Sequence, residues 1–309
     1  MDVTMNAIEV SDFVKSYGAT TAVSGVSLMV KSGELFGLIG PDGAGKTTLM
    51  RTICTLILPD KGTLFVKGLD VTRRIAEIRS QLGYMPQRFS LYQDLSIEQN
   101  LRFFADLFQV PAVAREQRLQ QLYQFSRLAP FKDRRAAALS GGMKQKLALS
   151  CALIHTPSVL ILDEPTYGVD PVSRQEFWEI LHSIQLEGTT ILVSTAYMDE
   201  ADQCDRVALM FRGQLVGLGT PAELKQGYRY PLYKLYGRDL HQLRQFFLDL
   251  TQVHTIQLFG DSLHISFKKM PAKQDWQTWQ EATAMNLQHW QKQPPSIEDV
   301  FLDLMGEPA

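Results

Sequence analysis

The residues from Gly40 to Thr47 have the types and spacing of a phosphate-binding loop. Gly43 and Gly45 let the backbone approach phosphate oxygens with no side chain in the way. Lys46 offers a positive charge to the β- and γ-phosphates of a nucleotide, and the Thr47 hydroxyl suits a ligand of Mg²⁺. The alternative is a glycine-rich turn that matches by accident, which the strand and helix predicted on either side of the loop disfavour.

A second pair of reactive side chains, Asp163 and Glu164, follows the apolar run 159–162. A buried strand would deliver Asp163 to the edge of a sheet, where it can hold Mg²⁺ through water. Glu164, one residue further on, can polarise an attacking water. An acidic strand end that caps a neighbouring loop is the alternative, and the phosphate loop upstream in the same domain argues against it.

A second anion site is predicted at Ser140, Gly141 and Gly142, which open a helix rich in lysine and glutamine. The backbone N–H groups at such a helix start, together with the serine hydroxyl, can bind an anion. Ser-Gly-Gly alone is a common turn, so this segment supports a site only in combination with the other two motifs.

The elements that must position these residues alternate strands with helices, which predicts an α/β fold with a parallel sheet covered by helices. Apolar runs predict strands at 35–39, 159–162, 190–193, 207–211 and 214–216. A helix is predicted over 48–53, directly after the phosphate loop. Between residues 89 and 154 the periodicity is almost purely helical, which indicates a helical insertion into the sheet domain.

Beyond about residue 228 the pattern changes to that of a small α+β domain. Strands are predicted at 232–236, 254–259 and 262–267, and helices at 240–250 and 276–285. Ser296 to Asp299 form a capping-box-like start for a final helix through Leu304. No ionisable side chains with the spacing of a catalytic site occur in this region, so its tryptophans are expected to pack a core.

Composition narrows the classes of function. The chain has 309 residues, of which 45% are hydrophobic and 21% charged, as in an ordinary globular protein of about two domains. A net charge of −2 excludes an overall basic character and argues against nucleic acid as the main partner. Three separated cysteines fit neither a disulfide framework nor a zinc site, which favours a reducing cytosol. Because neither a signal peptide nor an apolar run of roughly 18–20 residues is recognised, membrane contact is expected only through a partner.

Taken together, the motifs resemble those of the nucleotide-binding subunit of an ATP-binding-cassette (ABC) transporter. Their order matches over about residues 6–225: the phosphate loop, Gln87, Leu139-Ser140-Gly141-Gly142, Leu162-Asp163-Glu164-Pro165, Gly168-Val169-Asp170 and Ser194-Thr195. The resemblance implies a P-loop NTPase (RecA-like) domain over residues 1–225, with a helical subdomain at about 88–156. It also implies a C-terminal α+β accessory domain over residues 228–309.

The resemblance further implies that ATP and Mg²⁺ are bound. Glu164, Lys46 and Gln87 are then expected to be catalytic, and Thr47, Gln87 and Asp163 to hold the metal. Nucleotide contacts within the same subunit are expected from Tyr17, Gly40, Asp42, Gly43, Ala44, Gly45, Lys46, Thr47 and Thr48. Tyr17 would stack on adenine, and the alternative for it is a packed surface aromatic.

The resemblance also implies a dimer with two ATP molecules between its subunits. Ser140, Gly141 and Gly142 would grip the γ-phosphate of ATP held by the opposite subunit, and Asp170 would bridge the dimer. The dimer can be a homodimer or a heterodimer with a second ABC ATPase.

The tail from Pro295 to Leu302 is similar to that of daunorubicin-resistance-type ATPases, which serve ABC-2-type exporters of drugs or other amphiphiles. The implied function is ATP hydrolysis that powers export through separate membrane permease subunits, from the cytoplasmic face of the cell membrane. A degenerate regulatory subunit that binds ATP and a non-transport ABC ATPase, such as a translation factor, are the alternatives.

Three positions depart from the family pattern: Asp42 replaces Asn, Met143 replaces Gln, and Ala196 replaces a histidine. In the family that histidine donates to the γ-phosphate and holds the attacking water, so its loss predicts slow turnover. Either a homodimer works slowly, or this chain pairs with a second ATPase that has complete motifs. His155 is expected to be a surface residue and not a substitute for the missing histidine.

Residues 88–92 follow Gln87 and include Phe89, Leu91 and Tyr92. Grouped exposed apolar side chains indicate a docking surface, and by resemblance a cytoplasmic helix of the permease would bind here. The alternative is that these side chains pack the helical subdomain.

Overall fold

The structure is a computed structural model, and it describes residues 6–88, 91–284 and 286–306. The chain divides into two compact units, Met1–Thr220 and Pro221–Ala309. Each unit has a hydrophobic core of its own. The short helix Pro221–Gln226 is grouped with the second unit, a few residues before the predicted boundary at 225–228.

The strands of the first unit form two sheets. Their bounds are β1 Asn6–Tyr17, β2 Thr20–Lys31, β3 Leu35–Ile39, β4 Lys61–Val66, β5 Leu69–Asp70, β6 Leu82–Met85, β7 Val159–Asp163, β8 Thr190–Thr195, β9 Arg206–Phe211 and β10 Gln214–Gly219. A six-stranded sheet has the order β10-β9-β3-β8-β7-β6, and every neighbouring pair in it is parallel except β9 and β10. The predicted parallel sheet is therefore confirmed.

Strands β3, β7 and β8 are buried along their whole length. Such continuous burial explains their uninterrupted apolar runs, because both faces of a central parallel sheet are covered. The carboxyl ends of parallel strands share one edge of a sheet, so residues that follow β3, β7 and β8 are brought together.

Residues 6–70 contain a second sheet that was not predicted from the sequence. They include a separate four-stranded antiparallel sheet with the order β2-β1-β4-β5. The register between β1 and β2 shifts between Val10 and Phe13, where Asp12 has a φ of 50°. The bulge interrupts the alternation of apolar and polar residues that would have marked β1 as a half-buried strand.

The helices of the first unit are α1 Lys46–Ile53, α2 Ile75–Gln81, α3 Ile97–Leu107, α4 Ala112–Ser126, α5 Gly141–Leu153 and α6 Pro171–Leu186, with 3₁₀ turns at Ala129–Phe131, Ala136–Ala138 and Met198–Gln203. Helices α3, α4 and α5 lie between β6 and β7 in the chain and form the predicted helical insertion. Ser96 and Gln99 start α3 with a reciprocal capping box, which satisfies backbone N–H groups at the helix start.

The second unit comprises α7 Pro221–Gln226, β11 Leu232–Gly237, α8 Leu240–Leu248, β12 Val253–Phe259, β13 Ser262–Phe267, α9 Lys273–Ala282, β14 Leu287–Lys292 and α10 Ile297–Met305. Its antiparallel sheet has the order β12-β13-β11-β14. Trp276, Trp279 and Trp290 pack against this core, as predicted. The end of the helix predicted at 276–285 falls on residue 285, which lies outside the described residues.

Candidate functional site

The phosphate loop joins the buried strand β3 to helix α1 and places Lys46 in the interior. The lysine is 3% exposed, and its Nζ donates to the carbonyl oxygens of Gly40 at 2.6 Å and Pro41 at 3.0 Å. Gly45 has a φ of 102°, and a Cβ there would lie 2.6 Å from the carbonyl oxygen of Ala22. Only glycine fits this position, because the left-handed backbone and the close approach both exclude a side chain.

Asp163 lies at the end of β7, fully buried, and faces the first residues of α1. Its Oδ1 accepts hydrogen bonds from Thr47 Oγ1 at 3.0 Å and Ser194 Oγ at 2.9 Å. Its Oδ2 accepts no hydrogen bond from the described residues. Burial raises the pKa of Asp163, an effect that the two hydroxyls oppose. A buried carboxylate oxygen without a partner is the kind of group that a bound cation would satisfy.

Glu164 directly follows Asp163, and both its carboxylate and its backbone N–H make polar contacts. Its Oε1 lies 3.1 Å from Lys46 Nζ, and its Oε2 accepts a 2.8 Å hydrogen bond from Gln87 Nε2. Its backbone N–H points at Ser194, with the carbonyl oxygen at 3.2 Å and Oγ at 3.0 Å. Its φ of 50° is a left-handed conformation that is costly for a residue with a side chain and persists only where neighbours fix it.

The site therefore brings together the residues predicted to be catalytic and those predicted to hold the metal. The first set is Lys46, Gln87 and Glu164, and the second is Thr47, Gln87 and Asp163, so Gln87 belongs to both. Lys46 is ion-paired with Glu164, and the positive charge of Arg51 acts on Asp163, so each of the two carboxylates has a cation near it. In the described residues no group of three or more His, Cys, Asp or Glu side chains is arranged to hold a metal ion. Any Mg²⁺ would thus depend on mixed oxygen ligands and on the phosphates of a nucleotide, which is usual for that metal.

Ser140, Gly141, Gly142 and Asp170 lie in other surroundings. Ser140 caps α5 by accepting from the Met143 backbone N–H at 3.3 Å, and Asp170 caps α6. A Cβ on Gly142 would lie 2.6 Å from Ser173 Oγ, so α5 and α6 pack closely at this point. None of the contacts found in the described residues joins these four residues to the phosphate loop. Ser140, Gly141 and Asp170 are exposed, whereas Gly142 is buried.

The remaining predicted nucleotide contacts are partly open to solvent. Tyr17 at the end of β1 is 50% exposed, with Lys15 Nζ 5.7 Å from its ring centroid. Asp42 and Gly43 are exposed at the tip of the phosphate loop, whereas Ala44 is buried. Thr48 lies in the first turn of α1, where its carbonyl oxygen accepts from Thr52 Oγ1. An exposed Tyr17 ring is free to stack on a base.

Ala196 directly follows β8, and its side chain is only a methyl group, with no hydrogen-bond donor. Its neighbour Tyr197 lies against α6, because the Arg174 guanidinium is 4.7 Å from the centre of the tyrosine ring. The prediction that His155 is a surface residue is wrong. Its ring is half-buried, stacks on Phe108 with ring centres 3.9 Å apart, and meets the carbonyl oxygen of Leu82 at 3.2 Å. These contacts explain His155 as a packed side chain of the helical insertion.

The apolar cluster after Gln87 is only partly exposed. Leu91 is 9% exposed and belongs to the core, so its inclusion in a docking surface is wrong, and Phe89 lies outside the described residues. Tyr92 is 49% exposed and packs edge-on against Phe103, with ring centres 4.5 Å apart. The side chain of Asn100 holds this segment, because it bonds the N–H and the carbonyl of Tyr92 at 3.0 and 3.1 Å.

The sequence reasoning missed the role of Ser194. Its hydroxyl donates to Asp163, and it also meets the backbone N–H of Glu164, so one side chain orients both acids. The sequence offered one indication of this role, a polar residue directly after the apolar run 190–193. The structure shows that this residue lies on β8, which pairs with β7.

Similarity to known proteins agrees with this geometry. Residues 23–167 match the family described as ABC transporter. The chain is 42% identical over 295 residues to the Probable multidrug ABC transporter ATP-binding protein YbhF of Escherichia coli (strain K12). This alignment covers 92% of this chain and 49% of YbhF. It is 35% identical over 302 residues to the Nod factor export ATP-binding protein I of Ralstonia nicotianae, covering 97% of this chain and 94% of that protein. The chain is an ATP-binding protein of the ABC transporter family.

A solved structure described as the ATP binding subunit of an ABC transporter superposes on this ABC protein with a TM-score of 0.65. The two are 30% identical, and the alignment covers 71% of this chain and 92% of the other. The fold of the aligned part of the chain is thus that of an ABC cassette. The chain spans about half the length of YbhF, with 49% covered. None of the helices in residues 6–88, 91–284 and 286–306 is long and apolar enough to cross a membrane.

Proposed function

We propose that this ABC protein binds MgATP and hydrolyses it to power export through separate membrane permease subunits. The observation that carries the proposal is the convergence of Lys46, Gln87 and Glu164, with contacts of 3.1 and 2.8 Å, beside the Thr47–Asp163 pair at 3.0 Å. Phosphoryl transfer needs positioned charges more than covalent chemistry, and this cluster supplies them.

Lys46 would bind the β- and γ-phosphates, and releasing Glu164 from its ion pair with Lys46 would free the carboxylate to take a proton from the attacking water. Gln87 donates to Glu164 Oε2 and so orients that carboxylate. Lys46 and Glu164 are both buried, and this strengthens the interaction between them because little solvent screens their charges.

Mg²⁺ fits the residues present. Thr47, Gln87 and Asp163 would hold it, with Asp163 Oδ2 as a buried oxygen that lacks a hydrogen bond in the described chain. Oxygen ligands from a hydroxyl, an amide and one carboxylate match the preference of this ion. When bound, it would neutralise charge on the phosphate oxygens.

The position of the second anion-binding motif supports the proposal of a dimer. Ser140, Gly141, Gly142 and Asp170 make no contact with the phosphate loop within the described chain, so their proposed ligand is the nucleotide of an opposite subunit. Tyr17 would stack on the adenine of the nucleotide bound by its own subunit. Either a second copy of this chain or a different ABC ATPase can be the partner.

The export function and the partner class are proposed from the relatives and the tail. The names of the two relatives include multidrug transport and Nod factor export. An ABC-2-type permease of amphiphiles fits both, and it would place this chain at the inner face of the cell membrane. Tyr92 is the exposed aromatic that we propose contacts the permease.

The test of the enzymatic function is ATP binding and hydrolysis by the purified chain, with and without Mg²⁺. Lys46→Ala should weaken ATP binding by about 100-fold or more, since it removes a charge-assisted contact in a buried site. Lys132→Ala, which removes an exposed lysine 3.9 Å from Glu98, is the control and should bind normally. Normal ATP affinity in Lys46→Ala would contradict the assignment of the site.

The test of the docking surface is Tyr92→Asp in cells that express the permease genes. We expect loss of permease co-purification and of transport. ATP hydrolysis by the purified chain should stay within about twofold, because the introduced charge disrupts only the apolar contact of residue 92 with the permease. Leu186→Asp, at an apolar residue that is 89% exposed, is the matched control. Unimpaired assembly and transport in Tyr92→Asp would remove this surface from the proposal.

A further inference from the structure

Glu200 is a buried carboxylate that the proposed site does not use. It lies in the 3₁₀ turn Met198–Gln203, shortly after Ala196, and is only 3% exposed. Its Oε2 accepts a 3.1 Å hydrogen bond from the hydroxyl of Thr166, which is 1% exposed. Its Oε1 accepts no hydrogen bond from the described residues. Taking a carboxylate out of water is costly, so its presence here calls for a reason beyond stability.

The cation that faces Glu200 is Arg174, in the first turn of α6. Its Nε is 3.8 Å from Glu200 Oε1, which is too long for a hydrogen bond, and its Nη2 is 3.7 Å from Asp199. Its guanidinium also lies over the ring of Tyr197. The backbone N–H of Arg174 donates to Asp170 at 2.9 Å. Arg174 therefore connects the residue that caps α6 to the segment that follows Ala196.

Thr166, the other partner of Glu200, lies in the turn that leaves Glu164. The Tyr167 N–H donates to the carbonyl of Glu164 at 3.2 Å, and the Val169 N–H donates to the carbonyl of Thr166 at 3.2 Å. Glu164 has the left-handed backbone, so neighbours on both sides must fix it. Ser194 fixes the amide of Glu164, and the Thr166–Glu200 hydrogen bond fixes the turn that comes after it.

We infer that Glu200 is a positioning residue for ATP hydrolysis. Through Thr166 it holds the turn that aims the carboxylate of Glu164, and through Arg174 it ties that turn to the start of α6. This inference rests on the proposed role of Glu164 as the base. Because Ala196 offers no donor to locate the attacking water, hydrolysis depends more heavily on the placement of Glu164.

The test begins with Thr166→Val, which removes the hydroxyl and nearly keeps the volume. We expect the rate of single-turnover ATP hydrolysis to fall about tenfold or more, since small displacements of a catalytic group are costly. The KM for MgATP should change by less than about twofold, because the phosphate-binding groups are untouched. Thr166→Ser restores the hydroxyl and should restore most of the rate, which a purely steric role would not explain.

A second readout needs no catalysis. Amide hydrogen exchange of residues 164–169 in the nucleotide-free protein should be about tenfold faster in Thr166→Val, because the turn opens more often. Glu200→Gln keeps an acceptor for Thr166 but loses the charge that faces Arg174, so a smaller fall in rate of about threefold is expected. Ser126→Ala is the control, since it removes a buried hydroxyl that bonds Leu122 at 2.6 Å within α4.

The outcomes are distinguishable. Unchanged hydrolysis and unchanged exchange in a folded Thr166→Val protein would overturn the inference, and so would a loss of rate that Thr166→Ser fails to restore. If Thr166→Val does not fold, Glu200→Gln and Thr166→Ser carry the test, and a Glu200→Gln rate equal to that of the unchanged protein overturns it. If the unchanged protein binds no ATP, the proposed function fails instead, while exchange at residues 164–169 still tests the contact.

Discussion

The two units of this ABC protein treat buried polar groups differently. In the described residues, the buried side-chain nitrogen and oxygen atoms without a hydrogen bond all lie in the first unit, on Tyr84, Arg115, Arg118, Tyr123, Gln145, His155, Asp163, Trp178 and Glu200. The second unit buries Asp299 with hydrogen bonds from Ser296 and fills its core with aromatic rings. Stability alone accounts for the second arrangement and not for the first.

This difference concerns where buried polar groups lack a partner within the described part of the chain. Asp163 and Glu164 are buried at and directly after the end of β7, and burial raises the pKa of Asp163. Strained or under-satisfied groups concentrate where a ligand completes them. We therefore expect substitutions at Lys46, Asp163 and Glu164 to change activity strongly, and substitutions in the second unit to change mainly stability or assembly.

The largest expected effect is that of Glu164→Gln. It removes the proposed base and keeps the size of the side chain, so ATP hydrolysis should fall by about 10³-fold, within the usual contribution of a general base. ATP binding should persist, and the ATP-bound dimer should accumulate, as measured by size-exclusion chromatography with light scattering. The exposed residue Glu187, changed to Gln, is the control. Hydrolysis by Glu164→Gln at the unchanged rate would show that another group is the base.

The second largest expected effect is a gain in the rate of ATP hydrolysis, from Ala196→His. A positioned donor to developing charge contributes about 10²–10³-fold in rate, and Tyr197 cannot supply one because its ring packs against Arg174. We expect faster hydrolysis by the purified chain. Ala196→Leu adds bulk without a donor and should give no increase.

If native turnover is already fast and Ala196→His adds nothing, some other side chain does the work of the histidine. If Ala196→His does raise the rate, the native protein is either a slow homodimer or the slow half of a heterodimer. Mixing with a candidate partner ATPase separates these two arrangements, because only a heterodimer gains a complete site from its partner.

Sequence reasoning succeeded where the signal is local or continuous. The phosphate loop and the apolar runs of β3, β7 and β8 need no knowledge of distant contacts. The antiparallel sheet was missed because the bulge at Asp12 breaks the alternation of β1. Strand β14 was missed because only Leu287 in it is fully buried. The Thr166–Glu200 contact joins residues 34 positions apart, which no local pattern marks.

The third effect tests the separation of the two units. A fragment of residues 1–220 should bind ATP with an affinity within about threefold of the full chain, because a compact unit with its own core can fold alone. Dimerisation or assembly with the permease should weaken, as measured by light scattering and co-purification. A folded fragment that fails to bind nucleotide would contradict the assignment of binding to the first unit alone.

The smallest effect is on stability, at the start of α10. Asp299 Oδ2 accepts from the Ser296 N–H at 2.8 Å and from its hydroxyl at 2.6 Å, and Oδ1 is 3.4 Å from His264 Nδ1. Asp299→Ala should cost about 1–2 kcal/mol of unfolding free energy near pH 7, as a lost helix cap does. Asp261→Ala, in an exposed hairpin turn, should cost nothing measurable.

The pH dependence follows from the sign of the pKa shift. Burial raises the pKa of Asp299, but the hydrogen bonds from His264 and Ser296 outweigh it, so the net effect lowers the pKa of this carboxyl. A group whose pKa is lower in the folded state stabilises that state at pH values above the pKa that the group has in the unfolded chain. This stabilisation is lost as the pH falls through the pKa of the group in the folded state. The difference between Asp299→Ala and the unchanged protein should therefore be full at pH 7 and shrink below about pH 4. Urea unfolding followed by fluorescence of the second unit's tryptophans measures it. An undiminished difference at pH 3 would mean that the carboxylate charge is not what stabilises the helix start.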